Sequence, residues 1–95
     1  MDRTYSVYIL SNRHRTVFYT GVTGDLERRL WQHRNRQGGA FTSKYQCRDL
    51  LYVEEHAFVL DAIDREKQIK RWGRPKKLAL IRSINPEMVD LSEEG

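Results

Sequence analysis

Tyr8, Tyr19, Arg29, His33 and Glu66 are the side chains of this sequence whose types and spacing could do chemistry. Tyr8 and Tyr19 stand in two runs of β-forming residues, Tyr5 to Leu10 and Thr16 to Val22, joined by the polar stretch Asn12-Arg13-His14-Arg15. A four-residue hairpin loop there puts Ser11 opposite Thr16, Leu10 opposite Val17 and Tyr8 opposite Tyr19. Two phenols would then sit side by side, their Cβ atoms roughly 5 Å apart, although an ordinary cross-strand aromatic pair has the same pattern. Arg29 and His33 lie one helical turn apart on the flank of a Leu26/Leu30 stripe, while Arg28 points away. A charged side chain on that flank reaches an anionic group, pairs with an acid or snorkels to water. Glu66 falls within the apolar face that Val59, Ala62, Ile63, Ile69 and Gly73 give a second helix, with Lys70 beside it. An inward carboxylate is costly unless it is paired, hydrogen-bonded or bound to metal. An edge ion pair with Lys70 or an arginine is one reading. A metal ligand at the base of a cleft is the other, and is preferred because no second inward carboxylate competes for the role.

The elements that must position these groups follow from periodicity and turn residues. The two strands lead into a helix that opens at Thr23-Gly24-Asp25, with Thr23 or Gly24 as cap, runs to about Gln37 and stops at Gly38-Gly39. Gly38 to Arg48 has no clear period and reads as a basic loop of a length that suits substrate contact. Leu50 to Glu55 is a third strand, with Leu51 and Val53 on one face and Leu50, Tyr52 and Glu54 on the other. Phe58 to Trp72 is a second helix. A third starts at Pro75, carries the stripe Leu78, Ile81 and Ile84, and ends at Asn85-Pro86. The expected fold is a small α/β domain of the α+β type: a three-stranded antiparallel sheet flanked by three helices in the order ββαβαα. Residues 1–86 form this single domain, and 87–95 are an acidic, loosely held tail that Met88 and Leu91 could dock.

Composition narrows the function. A chain of 95 residues has room for one core, and 39% hydrophobic with 32% charged residues suits a globular domain rather than a disordered one. No apolar run approaches the ~18 residues of a membrane span, and Met1-Asp2-Arg3-Thr4 has no signal-peptide character. The lone Cys47 excludes an internal disulfide and a cysteine-rich zinc site, which favours a reducing, cytoplasmic setting. The net charge is +4, but its distribution says more. No acid occurs from Arg28 to Arg48, a block that holds Arg28, Arg34, Arg36 and Lys44. From Arg65 to Arg82 the only acid is Glu66, among Lys70, Arg71, Arg74, Lys77 and other bases. Two basic blocks suggest a polyanionic partner, nucleic acid first, over merely solvated helix faces.

The landmarks together resemble the GIY-YIG nuclease domain, over nearly the whole chain. Ser6-Val7-Tyr8 stands where that family has its first tripeptide and Tyr19-Thr20-Gly21 where it has its second, with Ser6 replacing glycine and Thr20 replacing isoleucine. Arg29 follows Tyr19 by ten residues, and His33 and Glu66 fit the rest of the pattern. Glu66 to Trp72 followed by Asn85-Pro86 is similar to small stand-alone bacterial members. Val22 stands where some members carry a lysine. The resemblance implies a divalent-metal-dependent endonuclease acting on DNA, duplex or branched, with RNA as a further possibility, and a role in repair or recombination. It implies a single Mg2+ or Mn2+ ion on Glu66, Arg29 on the phosphate, Tyr8 as base with His33 as partner or alternative, and Tyr19 placing water or phosphate. Gly21 and Asn85 would support the site. Arg28, Arg34, Arg36, Lys44, Lys70, Arg71, Arg74 and Lys77 would grip the backbone with little sequence specificity and steep salt dependence. A catalytically weak or inactive nucleic-acid-binding module of the same fold is the alternative. The oligomeric state is open.

Overall fold

The computed structural model describes residues 3–35, 37 and 39–92. The strands are β1 (Tyr5–Ser11), β2 (Phe18–Thr23) and β3 (Asp49–His56); the helices are α1 (Leu26–Arg34), α2 (Ala40–Tyr45), α3 (Val59–Lys70) and α4 (Arg74–Ile84). The sheet is antiparallel in the order β2-β1-β3. The expected ββαβαα arrangement of the principal elements therefore holds. The addition is α2, a six-residue helix inside the segment expected to be a loop. Arg36 and the Gly38 half of the expected glycine stop lie outside the described residues, and α1 ends at Arg34 with Asn35 as its cap. Asp25, not Thr23 or Gly24, is the N-cap: its carboxylate accepts from Arg28 N at 3.1 Å.

Central β1 is covered on both faces, which is why nearly every one of its residues is buried. Val7 and Ile9 face a cluster with Leu51, Tyr52, Ala62, Ile69 and Ile81. Tyr8 and Leu10 face the other side, with Leu30, Cys47 and Leu50, and Tyr19 and Leu26 packed against them. The β1–β3 ladder slips by one residue between Ile9, which pairs with Tyr52, and Leu10, which pairs with Leu50. Leu51 is the extra residue of this bulge. Simple alternation set Leu50 and Tyr52 on one face; the bulge sends them to opposite clusters.

The β1–β2 connection is longer than the expected four-residue loop: strand pairing resumes only at Phe18. Asn12 organises the turn by accepting from the Thr16 and Val17 amides at 2.9 and 3.1 Å. Arg15 takes a left-handed conformation (φ 61°) and is held there by Asp49 at 2.6 Å and the Met88 carbonyl at 3.0 Å. Arg74 at the start of α4 clamps the same turn. It donates to the carbonyls of Arg15 and Thr16 and lies over the Phe18 ring. Residues 87–92 are docked rather than loose. Leu91 N donates to Leu50 O at 2.7 Å, Asp90 Oδ1 accepts from Leu50 N at 2.9 Å, and Met88 packs on the core. This segment satisfies backbone groups on the outer edge of β3.

Thr20 opposes Ile9 on the α3/α4 side, and its buried Oγ1 has no hydrogen-bond partner among the described residues. An unsatisfied buried hydroxyl costs on the order of 1 kcal/mol. Thr20→Val should therefore raise stability by about 1 kcal/mol, about 4–8 °C in melting temperature for a domain of this size. A thermal melt in which the variant is less stable than the wild type would contradict this account of Thr20.

Candidate active site

The hairpin does not set Tyr8 opposite Tyr19. Tyr8 pairs with Gly21 and Tyr19 with Leu10, a register two residues away from the simple one. A shift of two preserves strand parity, so both phenols still occupy the same face as diagonal neighbours, with ring centroids 6.4 Å apart. The pairing also explains Gly21. A Cβ built there would lie 2.5 Å from both Cζ and the hydroxyl oxygen of Tyr8. Any larger residue would drive the phenol out of its place.

His33 completes a triangle of rings, 6.0 Å from Tyr8 and 5.5 Å from Tyr19 between centroids. Leu30 and His33 are the buried residues of α1, so the imidazole occupies the packed face itself, further in than the flank expected of it. Its Nε2 lies 3.1 Å from the Tyr8 hydroxyl and its Nδ1 3.0 Å from Thr42 Oγ1. Thr42 in turn donates to the Gly39 carbonyl at 3.4 Å. That order assigns the tautomer: Nδ1–H donates to Thr42, and Nε2 accepts from the Tyr8 hydroxyl. Burial pushes the Tyr8 phenol up to about 12, only partly opposed by the guanidinium of Arg29. Burial, helped by the charge of Arg29, pulls His33 down to about 4. At neutral pH the pair is thus a protonated phenol donating to a neutral imidazole.

Thr42 has no counterpart in the sequence reading, because it falls in the stretch without periodicity. Its only signal there was a small hydroxyl residue downstream of a histidine. Gln32 was also missed. It accepts from Arg29 Nη1 at 2.9 Å and helps orient the guanidinium.

Arg29 is half-buried and directed at both phenols. Burial alone would lower its pKa, but its contacts with Tyr8 and then Tyr19 outweigh that and keep the pKa raised. Glu66 occupies the middle of the buried stripe Ala62, Glu66, Ile69 on α3. It is near enough that its charge helps keep the Tyr8 phenol protonated. Its Oε2 is paired with Lys70 Nζ at 2.5 Å, and the Lys70 side chain is about half exposed (51%). Both sequence readings of Glu66 therefore remain physically consistent. The carboxylate carries a cation, and that cation is on a flexible, solvent-reaching arm that a metal ion could displace. Among the described residues no group of three or more histidines, cysteines and acids gathers as a metal cage. One inward carboxylate whose cationic partner can swing out to solvent has the oxygen-donor chemistry that a hard divalent ion accepts, so the residues present fit such an ion.

The other expected residues divide in two. Arg28, Lys44 and Arg71 are exposed, and Lys77 is half-buried. Arg34 reaches the Arg48 carbonyl, Asp90 and Ser92, and so anchors the C-terminal segment. Arg74 clamps the β1–β2 turn, as above, and Lys70 is paired with Glu66. Asn85 is buried at the C-cap of α4. Its amide donates to the carbonyls of Leu51, at the bulge, and Val89, and accepts from Val89 N. The structure thus gathers Tyr8, Tyr19, Gly21, Arg29, His33 and Glu66, and engages Asn85 at the far edge of β3.

Known proteins agree with this layout. The GIY-YIG catalytic domain profile matches residues 4–79. UPF0213 protein SSP2268 of Staphylococcus saprophyticus is 37% identical over 81 residues, covering 85% of this chain and 96% of the relative. A UPF0213 protein of Syntrophus aciditrophicus is 38% identical over 88 residues, covering 92% and 98%. The solution NMR structure of the UPF0213 protein BH0048 from Bacillus halodurans superposes with a TM-score of 0.60 at 24% identity, covering 97% of each chain. That last likeness concerns the fold alone. The profile spans the residues that carry both tyrosines, the arginine, the histidine and the glutamate, and the chain belongs to the GIY-YIG family of nuclease domains.

Proposed function

We propose that this protein is a divalent-metal-dependent endonuclease that hydrolyses DNA phosphodiester bonds with little sequence specificity, in a cytoplasmic setting and in the service of repair or recombination. One observation carries the reading. A buried Tyr8–His33–Thr42 chain and a guanidinium come together on one face of the sheet, and the inward carboxylate of Glu66 is near enough for its charge to act on the Tyr8 phenol. No helix among the described residues is long and apolar enough to cross a membrane.

The protonation states favour a shared base. Forming a free Tyr8 phenolate from a pKa of about 12 would cost about 7 kcal/mol at pH 7. Protonating His33 from a pKa of about 4 costs about 4 kcal/mol. The cheaper route passes a proton through the phenol. Tyr8 takes a proton from the attacking water while its own moves to His33 Nε2, and Thr42 holds the other imidazole nitrogen. Tyr19, in ring contact with both, helps place the water or the phosphate. Arg29 holds the charge that builds on the phosphorane oxygens, an effect worth about 10²–10³ in rate. An Mg2+ or Mn2+ ion on Glu66 would polarise the phosphate and stabilise the leaving oxygen. Arg28, Arg71 and Lys77 supply backbone contacts outside this centre.

Three measurements follow from this assignment. Wild-type protein should nick supercoiled plasmid with Mg2+, and identically purified Glu66→Ala should be at least 10²-fold slower; equal rates would remove Glu66 from the site. Tyr8→Phe should lose at least 10²-fold in single-turnover cleavage, and full retention would dismiss the phenol as a base. Folding withholds a proton from His33, so its contribution to stability is present above about pH 6.5 and is lost as pH falls toward about 4. An NMR titration of the His33 ring should show its midpoint near that lower value. A midpoint at or above 6.5 would refute the neutral, buried imidazole.

A further inference from the structure

Helix α2 works on two sides. Thr42 is turned inward and holds His33. Phe41 and Tyr45, one turn apart, meet in a tilted contact with ring centroids 4.8 Å apart and stay 45% and 39% exposed. Phe41 also meets Tyr19, at 5.9 Å. Three rings therefore run in an unbroken line from the reacting centre to open solvent. Tyr45 lines a cleft of about 820 Å³ whose walls include Arg13 and His14 of the β1–β2 turn, with Lys44, Arg48 and Asp49. Asp49 is already neutralised by Arg15, so Arg13, Lys44 and Arg48 leave the cleft positive.

Exposed rings interleaved with cations are what an unpaired strand recognises. Each of its bases offers a free π-face, and each link offers a phosphate. Bases within a duplex are stacked on each other and present no such face. We propose that Phe41 and Tyr45 are a stacking platform for unpaired bases, and that Arg13, Lys44 and Arg48 carry the backbone of the same strand. A single-stranded segment of DNA or RNA, such as an overhang or flap, is thereby led past Tyr19. What happens to that strand rests on the phosphodiesterase reading; its binding does not.

The test is fluorescence anisotropy with the full chain in EDTA, so that turnover plays no part. The probes are an oligothymidylate of about twelve nucleotides, an oligouridylate, an abasic strand of equal charge and a blunt duplex. Wild type should bind oligothymidylate more tightly than the abasic strand or the duplex. Phe41→Ala/Tyr45→Ala should weaken oligothymidylate about tenfold or more, as loss of two stacking rings requires, and leave the abasic strand unchanged. Phe41→Leu/Tyr45→Leu, which keeps apolar packing against Tyr19, should show the same loss. Phe41→Trp/Tyr45→Trp should restore binding, and Phe58→Ala, at the exposed start of α3, should bind as wild type. Arg13→Ala/Arg48→Ala should weaken both single strands and flatten the salt dependence. A preference between thymidylate and uridylate would support the platform, since the two strands differ only in the 5-methyl group and the 2′-hydroxyl of the nucleotides it contacts. Oligothymidylate affinity within twofold of wild type in the double alanine variant, or duplex bound more tightly than single strand, would overturn it. A protein that fails to nick plasmid but keeps the ring-dependent affinity would lose only the nuclease reading. One that nicks plasmid but lacks that affinity would lose only the platform.

Discussion

The hydrogen bond from the Tyr8 phenol to His33 is the contact around which the molecule is arranged. A phenol and an imidazole are both expensive to bury without partners. Here each satisfies the other, and Thr42 satisfies the remaining ring nitrogen. The chain works only if the phenol lies flat over β2, which demands a residue without a side chain at position 21. It works only if α1 turns His33 into the core, which the stripe Leu26, Leu30, His33 achieves. It also needs a helix where a loop would otherwise suffice, since α2 delivers Thr42. Dryness then sets the protonation states: the same burial that raises the phenol depresses the imidazole.

Positive charge is divided between holding the scaffold and facing solvent. Arg15, Arg34 and Arg74 belong to the scaffold. They neutralise Asp49 and Asp90, cap carbonyls of the long turn and fasten the C-terminal segment over the edge of β3. Arginine suits this work because its planar fork serves several oxygens at once. Where β3 meets α3, Glu54, opposite Val7, is a second hub. Its carboxylate is held below the usual range despite burial by the Tyr52 hydroxyl, Arg65 and His56. Arg65 and Lys76 also lie over the Trp72 ring, so this side of α3 is locked by charge and π contacts together. Arg13, Arg28, Lys44 and Arg71 remain exposed, on the side of the charge balance that can meet a polyanion.

Long, strongly patterned stretches could be read directly from the residues. Strand and helix periods placed β1, β3, α1, α3 and α4 to within a few residues, and proline and asparagine marked the ends of α4. Periodicity placed Arg29 and His33 beside a packed stripe and Glu66 within one, and the resemblance to the GIY-YIG domain joined them with Tyr8 and Tyr19 into one expected site. The face shared by the two phenols also followed from sequence, since a register error of two leaves parity intact.

What sequence could not supply depends on contacts between residues far apart in the chain. The hairpin register is set by a turn whose left-handed Arg15 is held by Asp49, Met88 and Asn12. The β3 bulge exists because Leu51 finds Asn85 and Leu50 finds the C-terminal segment. Helix α2 has no periodic pattern of its own, and it is fixed by Thr42 meeting His33 and Phe41 meeting Tyr19. The protonation states of Tyr8 and His33 likewise required knowing how deeply each is buried. Sequence determined which groups are present and, away from the β3 bulge, on which side of a strand each lies, since those are properties of local period. Folding decided which groups touch and how dry they are, since those are properties of packing between distant segments.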